Sequence, residues 1–391
     1  MELRKHWTPA LTTIVLCLLA YFSVRFSQVI VGPLLPLVVD EFDVSRGLLG
    51  MALTGMWVGY GLAQLPSGVF ADRHGEETLI VLALGITGGG VVILGISPTF
   101  GIFAVATLLL GVGAGTYYNP ATTLLTRRFS GIGGVIGIHR IGGQFAGVIA
   151  PVVATVVGVT FGWRPVFFVG AGLIGIVSVL VLWHRSSDRG EQAAVTVREL
   201  FDPAILLDLV TRSHTRNTTV MMTLVEFVGL ASMAFLPIFL VEHHGLSLAF
   251  ANTLFAIFFI VSAISQPVSG RVSDVIGRDR TVALLAFAGV LGYGGLVVAS
   301  SWHLAVSATV LAGAMLGATP VLQARMFDGL AMSQHGRGFG VFRTQYLLIG
   351  ATGTTIVGVA ADTAGWGLAF GILASFAAVV FGYLVLINVS N

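Results

Sequence analysis

The stretch QLPSGVFADRHG at 64–75 has a second version, SQPVSGRVSDVIG, at 265–277. Gly68 pairs with Gly270, and Asp72 with Asp274, at a separation of about 200 residues, and self-similarity at a fixed spacing marks a repeated architecture. Other pairs keep nearly the same separation. VIGIHR (135–140) matches GFGVFR (338–343), which sets Arg140 against Arg343. Gly162 and Trp163 return as Gly365 and Trp366, and Pro36 returns as Pro237. The chain reads as two related halves, 1–184 and 217–391, joined by its one long polar stretch, 185–216.

What surrounds the repeats is apolar. Of 391 residues, 55% are hydrophobic and 10% charged, whereas a soluble domain carries about 25% charged residues. Such a chain cannot cover a soluble surface with charge, so it is expected to lie in the lipid bilayer. The net charge is +2, and no basic patch interleaved with aromatics suggests a nucleic-acid partner. Cys17 is the only cysteine, which excludes an intrachain disulfide and a thiolate metal cluster; no cofactor or metal is expected. Arg4 and Lys5 precede an apolar stretch of roughly 30 residues, too long for a cleaved leader, so it reads as a retained first span.

A membrane-crossing helix needs roughly 20 apolar residues. Cutting at charges and turn residues gives spans near 11–39, 46–70, 78–97, 100–126, 133–161 and 164–184, then near 217–241, 247–270, 281–300, 303–326, 338–361 and 367–387. These are twelve helices in two sets of six. An even number per half makes the repeats parallel, related by an axis along the membrane normal. The 51 glycines suit close helix packing. Arg185, Arg189, Arg198, Arg212 and Arg216 place the central stretch on the cytoplasmic side together with both termini, while Asp40, Glu41 and Asp43 collect opposite, beside Arg46. Within the central stretch, VRELFDPAILLDLV (197–210) has an apolar side of Phe201, Ile205, Leu206 and Leu209. It reads as a helix lying on the membrane surface or as an ordinary amphipathic linker.

GVFADRHGEET (68–78) and GRVSDVIGRDRT (270–281) resemble the loop signature of the major facilitator superfamily, roughly Gly-x-x-x-Asp-Arg-x-Gly-Arg-x-Arg, found between helices 2 and 3 and again between 8 and 9. Twelve spans, a central loop and both repeats extend the resemblance over the whole chain. It implies an all-α integral membrane fold of two pseudo-symmetric six-helix bundles. It further implies a multi-pass secondary transporter of the cytoplasmic membrane, not an enzyme, working by alternating access on a gradient. The absence of a P-loop lysine motif agrees with that, and no HExxH or GxSxG with a plausible partner lies in the spans. The resemblance gives gating roles to Gly68, Asp72 and Arg73 in the first loop and to Gly270, Asp274, Arg278 and Arg280 in the second. The glycines would let helices of different bundles cross closely. Asp72 would meet the N-terminus of helix 11 near Arg337, and Asp274 that of helix 5. Glu76 and Glu77 depart from the signature, standing where basic residues are usual. GGQFAGVIAP (142–151) partly matches the family's antiporter motif, with Ala150 before Pro151 in place of Gly-Pro; a packing surface of Gly143, Gly147 and a proline kink is the other reading.

Charges inside the spans point to the cargo. Arg25 interrupts LAYFSVRFSQVIVGPLLP (19–36), and a guanidinium in the bilayer core costs at least about 2.5–3.5 kcal/mol. Arg140, Glu226 and Arg343 lie at similar depth, whereas Arg325, near the inner end of its span, says less. Helical spacing puts Tyr21, Arg25, Gln28, Gly32 and Pro36 on one face, and Arg140, Gln144, Gly147 and Pro151 on another. Thr223 and Glu226 share a face with Met233 and Pro237, and Arg343 shares one with Tyr346, Gly350 and Thr354. The family architecture adds Tyr117, Tyr118 and Asn119 from helix 4, with Gln64 and Gln266, to a central cavity. Three arginines against one glutamate leave surplus positive charge, which a carboxylate or phosphate would offset in bidentate fashion, the carboxylate being the expected one. The expected substrate is therefore a small organic anion held by Arg25, Gln28, Tyr117, Arg140, Gln144 and Arg343, with Arg140 and Arg343 alternatively acting as gate residues on backbone carbonyls. Glu226 is the expected proton-coupling group or a salt-bridge partner of Arg25, and His139 is a further titrating candidate. Protons or a counter-anion would drive the cycle, and the protein is expected to act as a monomer. A multidrug efflux antiporter, and a non-transporting membrane sensor of the same fold, are the competing functions.

Overall fold

The computed structural model describes residues 9–129, 132–184, 212–330 and 335–390. The amphipathic stretch 197–210 and the side chain of Arg337 lie outside the described residues. The helices are α1 (Pro9–Val29), α2 (Val31–Phe42), α3 (Arg46–His74), α4 (Glu76–Ile96), α5 (Phe100–Arg128), α6 (Ile132–Phe161) and α7 (Trp163–Trp183), then α8 (Ser213–Glu242), α9 (Leu248–Ile276), α10 (Arg278–Val298), α11 (Trp302–Met315), α12 (Ala318–Asp328) and α13 (His335–Ser390). No strand occurs among the described residues. In hydrocarbon each backbone N–H and C=O must be satisfied within its own segment, which a helix achieves and an open strand does not.

Among the described residues ten helical stretches are long and apolar enough to cross a membrane, with α1–α2 and α11–α12 each counting as one. The two arms of α3, bent by 46° at Pro66, make an eleventh. Gly365, at φ 83° and ψ 168°, breaks the helix inside α13 and divides it into two crossings. The twelve spans read from the sequence are thereby accounted for.

Backbone conformation repeats along with sequence. Gly75 (φ 85°) and Gly277 (φ 93°) occupy equivalent turns, as do Gly162 (φ 84°) and Gly365 (φ 83°), where a side chain would be strained. Asp43 (φ 48°) and Gly245 (φ 64°) form another such pair. Each is followed two residues later by a serine whose Oγ caps the next helix: Ser45 accepts from the Leu48 N–H at 3.1 Å, and Ser247 from the Phe250 N–H at 3.3 Å.

By its contacts the chain divides into a unit of residues 1–31 and 55–197 and a second of 32–54 and 198–391. In the first, α5 and α7 pack on α4, and α6 and α7 on α1. The α6–α1 contact is close because Gly142 and Gly143 have no Cβ; one added there would strike the Leu18 carbonyl and the Tyr21 ring. The partial antiporter motif thus serves helix packing in this unit. In the second, α8 and α10 pack on α13, and α9 and α10 on α11. Residues 32–54 of the first half belong to this second unit rather than to the sequence half that contains them. Its glycines explain how: Gly32 lies on the Met233 carbonyl and Gly50 on the Thr354 carbonyl. Thr54 then donates to the Ala351 carbonyl at 3.0 Å and lies 2.7 Å from the hydroxyls of Thr354 and Thr355.

Candidate functional site

In the first unit, the helical period brings Tyr21, Arg25 and Gln28 to one side of α1. Nη1 of Arg25 donates to Gln28 Oε1 at 2.9 Å, and its guanidinium carbon lies 5.7 Å from the centre of the Trp57 ring on α3. Among the described residues no carboxylate forms an ion pair with Arg25, so its charge rests on an amide oxygen and an aromatic face. Gln28 is 2% exposed; with Oε1 engaged, its Nε2 has no acceptor among the described residues. Gln64 is in the same position: its Nε2 is buried without an acceptor, although its carbonyl accepts from Asn119 Nδ2 at 2.6 Å. An unmet buried donor costs about 1–3 kcal/mol, and the Gln28 amide is one beside a cation whose partners among the described residues are neutral.

Behind Arg25 lies an aromatic group. Tyr117 is fully buried, its hydroxyl donating to the Cys17 carbonyl at 2.7 Å and lying 3.2 Å from His139 Nε2. With the tyrosine proton spent on Cys17, that second contact makes Nε2 the donor and leaves Nδ1 a bare acceptor, buried and without a partner among the described residues. The Tyr21 ring lies 4.6 Å from His139, and Tyr118 closes the group at 5.7 Å from Tyr21. Tyr117 therefore supports Tyr21 and His139, with its hydroxyl engaged inside the unit.

The neighbouring face of α6 grades from exposed Arg140 through half-buried Gln144 to buried Gly147 and Pro151. Arg140 makes no hydrogen bond or ion pair with any described residue. In the second unit, half-buried Glu226 on α8 lies against α13: a Cβ on Gly350 would meet its Cβ and Cγ at 3.0 Å. Half-buried Arg343 stands two turns before Gly350 on the same helix side. Between them the Tyr346 hydroxyl accepts from Gln323 Nε2 at 3.4 Å.

The loop residues divide. Asp274 pairs with Arg278 at 2.6 Å, and Arg280 is exposed. Asp72 makes no hydrogen bond or ion pair with any described residue, and Arg73 is exposed. A Cβ added at Gly68 or Gly270 would meet no atom within 4 Å, so neither glycine is required here by a close neighbour. Sequence reasoning undervalued Arg325. It is 7% exposed, with Nε donating to Asp279 at 2.6 Å and Nη1 to the Thr218 hydroxyl. The acidic residue inside the Arg278-Asp279-Arg280 triplet was the available signal for such a partner.

The comparisons with known proteins agree with this architecture. The family model described as Major Facilitator Superfamily matches residues 17–225 and 217–390. The chain is 24% identical over 345 residues to the fosmidomycin resistance protein of Escherichia coli (strain K12), covering 86% of this chain and 82% of that one. It is 30% identical over 190 residues to a protein of Cupriavidus necator described as "Probable sulfoacetate transporter", covering 48% of this chain and 44% of that one. A crystal structure of a D-xylose–proton symporter superposes with a TM-score of 0.81 at 14% identity, covering 96% of this chain and 97% of that one, which speaks to the fold alone. A helical fold of apolar spans, a duplicated loop signature and a family match along nearly the whole length lead to one conclusion: this chain is a multi-pass membrane transporter of the major facilitator superfamily.

Proposed function

We propose that the protein carries a small organic anion, a carboxylate first, across the cytoplasmic membrane, with both termini on the cytoplasmic side. The observation that carries this reading is the donor excess at Arg25: a guanidinium with neutral partners, bonded to Gln28, whose buried amide nitrogen has no acceptor among the described residues. A ligand rich in acceptors and negatively charged satisfies both at once. Arg25 and Gln28 contact the anion, with Gln144 beside them and Tyr117 holding the aromatic wall. Arg140 and Arg343 contact the substrate or close on it during the cycle. Glu226 takes up the coupling proton, so Glu226→Gln abolishes proton-driven accumulation and spares exchange; accumulation at the parent level removes that role. The loop residues Gly68, Asp72, Arg73, Gly270, Asp274, Arg278 and Arg280 act in gating. The monomer is the working unit.

The relative described as a sulfoacetate transporter supports an anionic cargo. The relative named for fosmidomycin resistance, matched over more of its length, favours the second reading, drug efflux. A thermal-shift panel of carboxylates, phosphates, neutral sugars and drugs of either charge on the purified protein separates them. Stabilisation by carboxylates that disappears in Arg25→Ala is the expected outcome; stabilisation by drugs alone, whatever their charge, establishes efflux instead.

A further inference from the structure

The described carboxylates of the first unit gather at one end of it. They are Asp72, Glu76 and Glu77, around the turn between α3 and α4, where Glu76 and Glu77 pair with Arg127 and Arg128. Helices α1, α5, α6 and α7 contain no aspartate or glutamate. Two arginines nevertheless lie well inside them: Arg25 on α1, and Arg140, about two turns into α6. Neither forms an ion pair with a described residue. The middle of this unit therefore holds two cationic groups and no anionic one among the described residues.

The packing of α6 on α1 fixes how the two arginines are disposed. A Cβ added to Gly143 would strike the Tyr21 ring at 2.6 Å, so Gly143 and Tyr21 are level. The two helices belong to the first and fifth spans, which cross in the same direction. Arg25 stands one turn beyond Tyr21, and Arg140 one turn before Gly143, so their Cα levels lie about 10 Å apart with the Tyr21 ring between them. Both guanidiniums are within electrostatic reach of the Tyr21 hydroxyl, which makes no hydrogen bond with any described residue. Beyond Arg25, the buried Nε2 of Gln28 has no acceptor among the described residues.

A single negative group at Arg25 leaves Arg140 unmatched. Two negative groups on a short spacer answer both. One takes the Arg25 fork and the Gln28 amide, the other takes Arg140, and the spacer lies along the half-buried Tyr21 ring, whose hydroxyl can donate to either end. We propose that Arg140 is a second anion subsite and that the substrate class is a short dianion, with two acidic groups a few carbon atoms apart. This deepens the reading of an anion at Arg25 and rests on it.

Calorimetric titration of the purified full chain at about pH 7.5, where free carboxyl groups are ionised, tests the proposal. Succinate, glutarate and adipate are compared with their half-amides, which match them in length and carry one charge fewer. The best diacid binds at least about tenfold more tightly than its half-amide, the worth of one charge-assisted contact. Arg140→Gln erases that preference, and Arg140→Lys, which keeps the charge and loses the fork, retains part of it. Equal binding of diacid and half-amide by the parent overturns the proposal. So does a preference that survives Arg140→Gln, which assigns Arg140 to the inner aqueous side instead. Arg25→Gln judges the first site separately. Half-amide binding that is lost there, with no advantage for diacids in the parent, leaves the site at Arg25 standing and removes the second subsite. Binding of neither diacid nor half-amide removes both.

Discussion

The loops that follow α3 and α9 occupy equivalent places in the two halves, yet the charge is inverted at one position, Glu76 against Arg278, while Glu77 and Asp279 stay acidic and each meets an arginine. After α3, Glu76 and Glu77 open α4 and reach Arg127 and Arg128 at the end of α5, at 3.0 and 2.8 Å. After α9, Arg278 opens α10 and reaches Asp274 and, at the end of α12, Asp328, at 2.6 and 3.3 Å. Glu76 and Arg278 are the same position in the repeat. What both loops preserve is an ionic tie from the start of one span to the end of the next, and at Glu76 and Arg278 either sign makes it. The signs differ in cost. Acidic residues suit a helix N-terminus and an arginine there does not, which is why Arg278 is shared between two carboxylates and followed by Asp279. The departure of Glu76 and Glu77 from the family signature is thus matched by Arg127 and Arg128. One asymmetry remains: the signature aspartate is bound to its own loop in the second half, at Asp274, whereas Asp72 has no such tie among the described residues.

The comparison breaks most readily at Arg325, whose repeat position in the first half holds Thr123, the counterpart tie to Glu77 being made by Arg128 instead. Arg325→Met leaves Asp279 and Thr218 without their cation and should lower unfolding stability in detergent by about 3 kcal/mol. A loss under about 1 kcal/mol would make this tie as dispensable as a surface pair. Next comes inversion of the first loop. Glu76 is 5% exposed, so Glu76→Arg facing Arg127 should cost about 2 kcal/mol, and adding Arg127→Glu should return most of it. Failure of the double variant to recover would show that the sign is not free. Arg278→Gln, at an exposed pair, should cost only about 0.5 kcal/mol, measured the same way. The smallest effect concerns His244, at the opposite end of the second half. Burial lowers its pKa, more than its 2.8 Å bond to the Leu296 carbonyl raises it, and neighbouring His243 lowers it further. A lowered cationic pKa means that the folded state holds fewer protons than the unfolded one. Its contribution to stability is therefore present above the unfolded pKa of about 6.5 and is lost as pH falls through the folded value. The melting temperature should drop slightly on that descent, and the drop should shrink in His244→Gln; an identical pH profile would remove the effect.

The same contrast shows what could be read before the structure. Spans, repeat and turns were legible because apolar runs and recurring glycines act locally: Gly162 and Gly365 were paired by sequence and share a backbone conformation. Arg25 and Gln28 were legible from the helical period, and they do hydrogen-bond. The role of Tyr117 was not, because periodicity assigns a side chain to a face without naming its partner, here the carbonyl of Cys17 on another helix. The matching of Glu76 and Glu77 by Arg127 and Arg128 was hidden for the same reason, since it spans a whole hairpin. Least visible was the attachment of 32–54 to the second unit. Its signal is missing side chains at Gly32 and Gly50, and a glycine in sequence does not say which backbone will come near it.

The central claim is that Arg25, supported among the described residues by neutral groups, requires an anionic ligand. Calorimetric titration of the best-stabilising carboxylate from the panel into the parent and into Arg25→Gln tests it most directly. The account predicts binding at least about 100-fold weaker in Arg25→Gln, the worth of a bidentate charge-assisted contact, with Arg25→Lys in between. Equal affinity in all three proteins would contradict it.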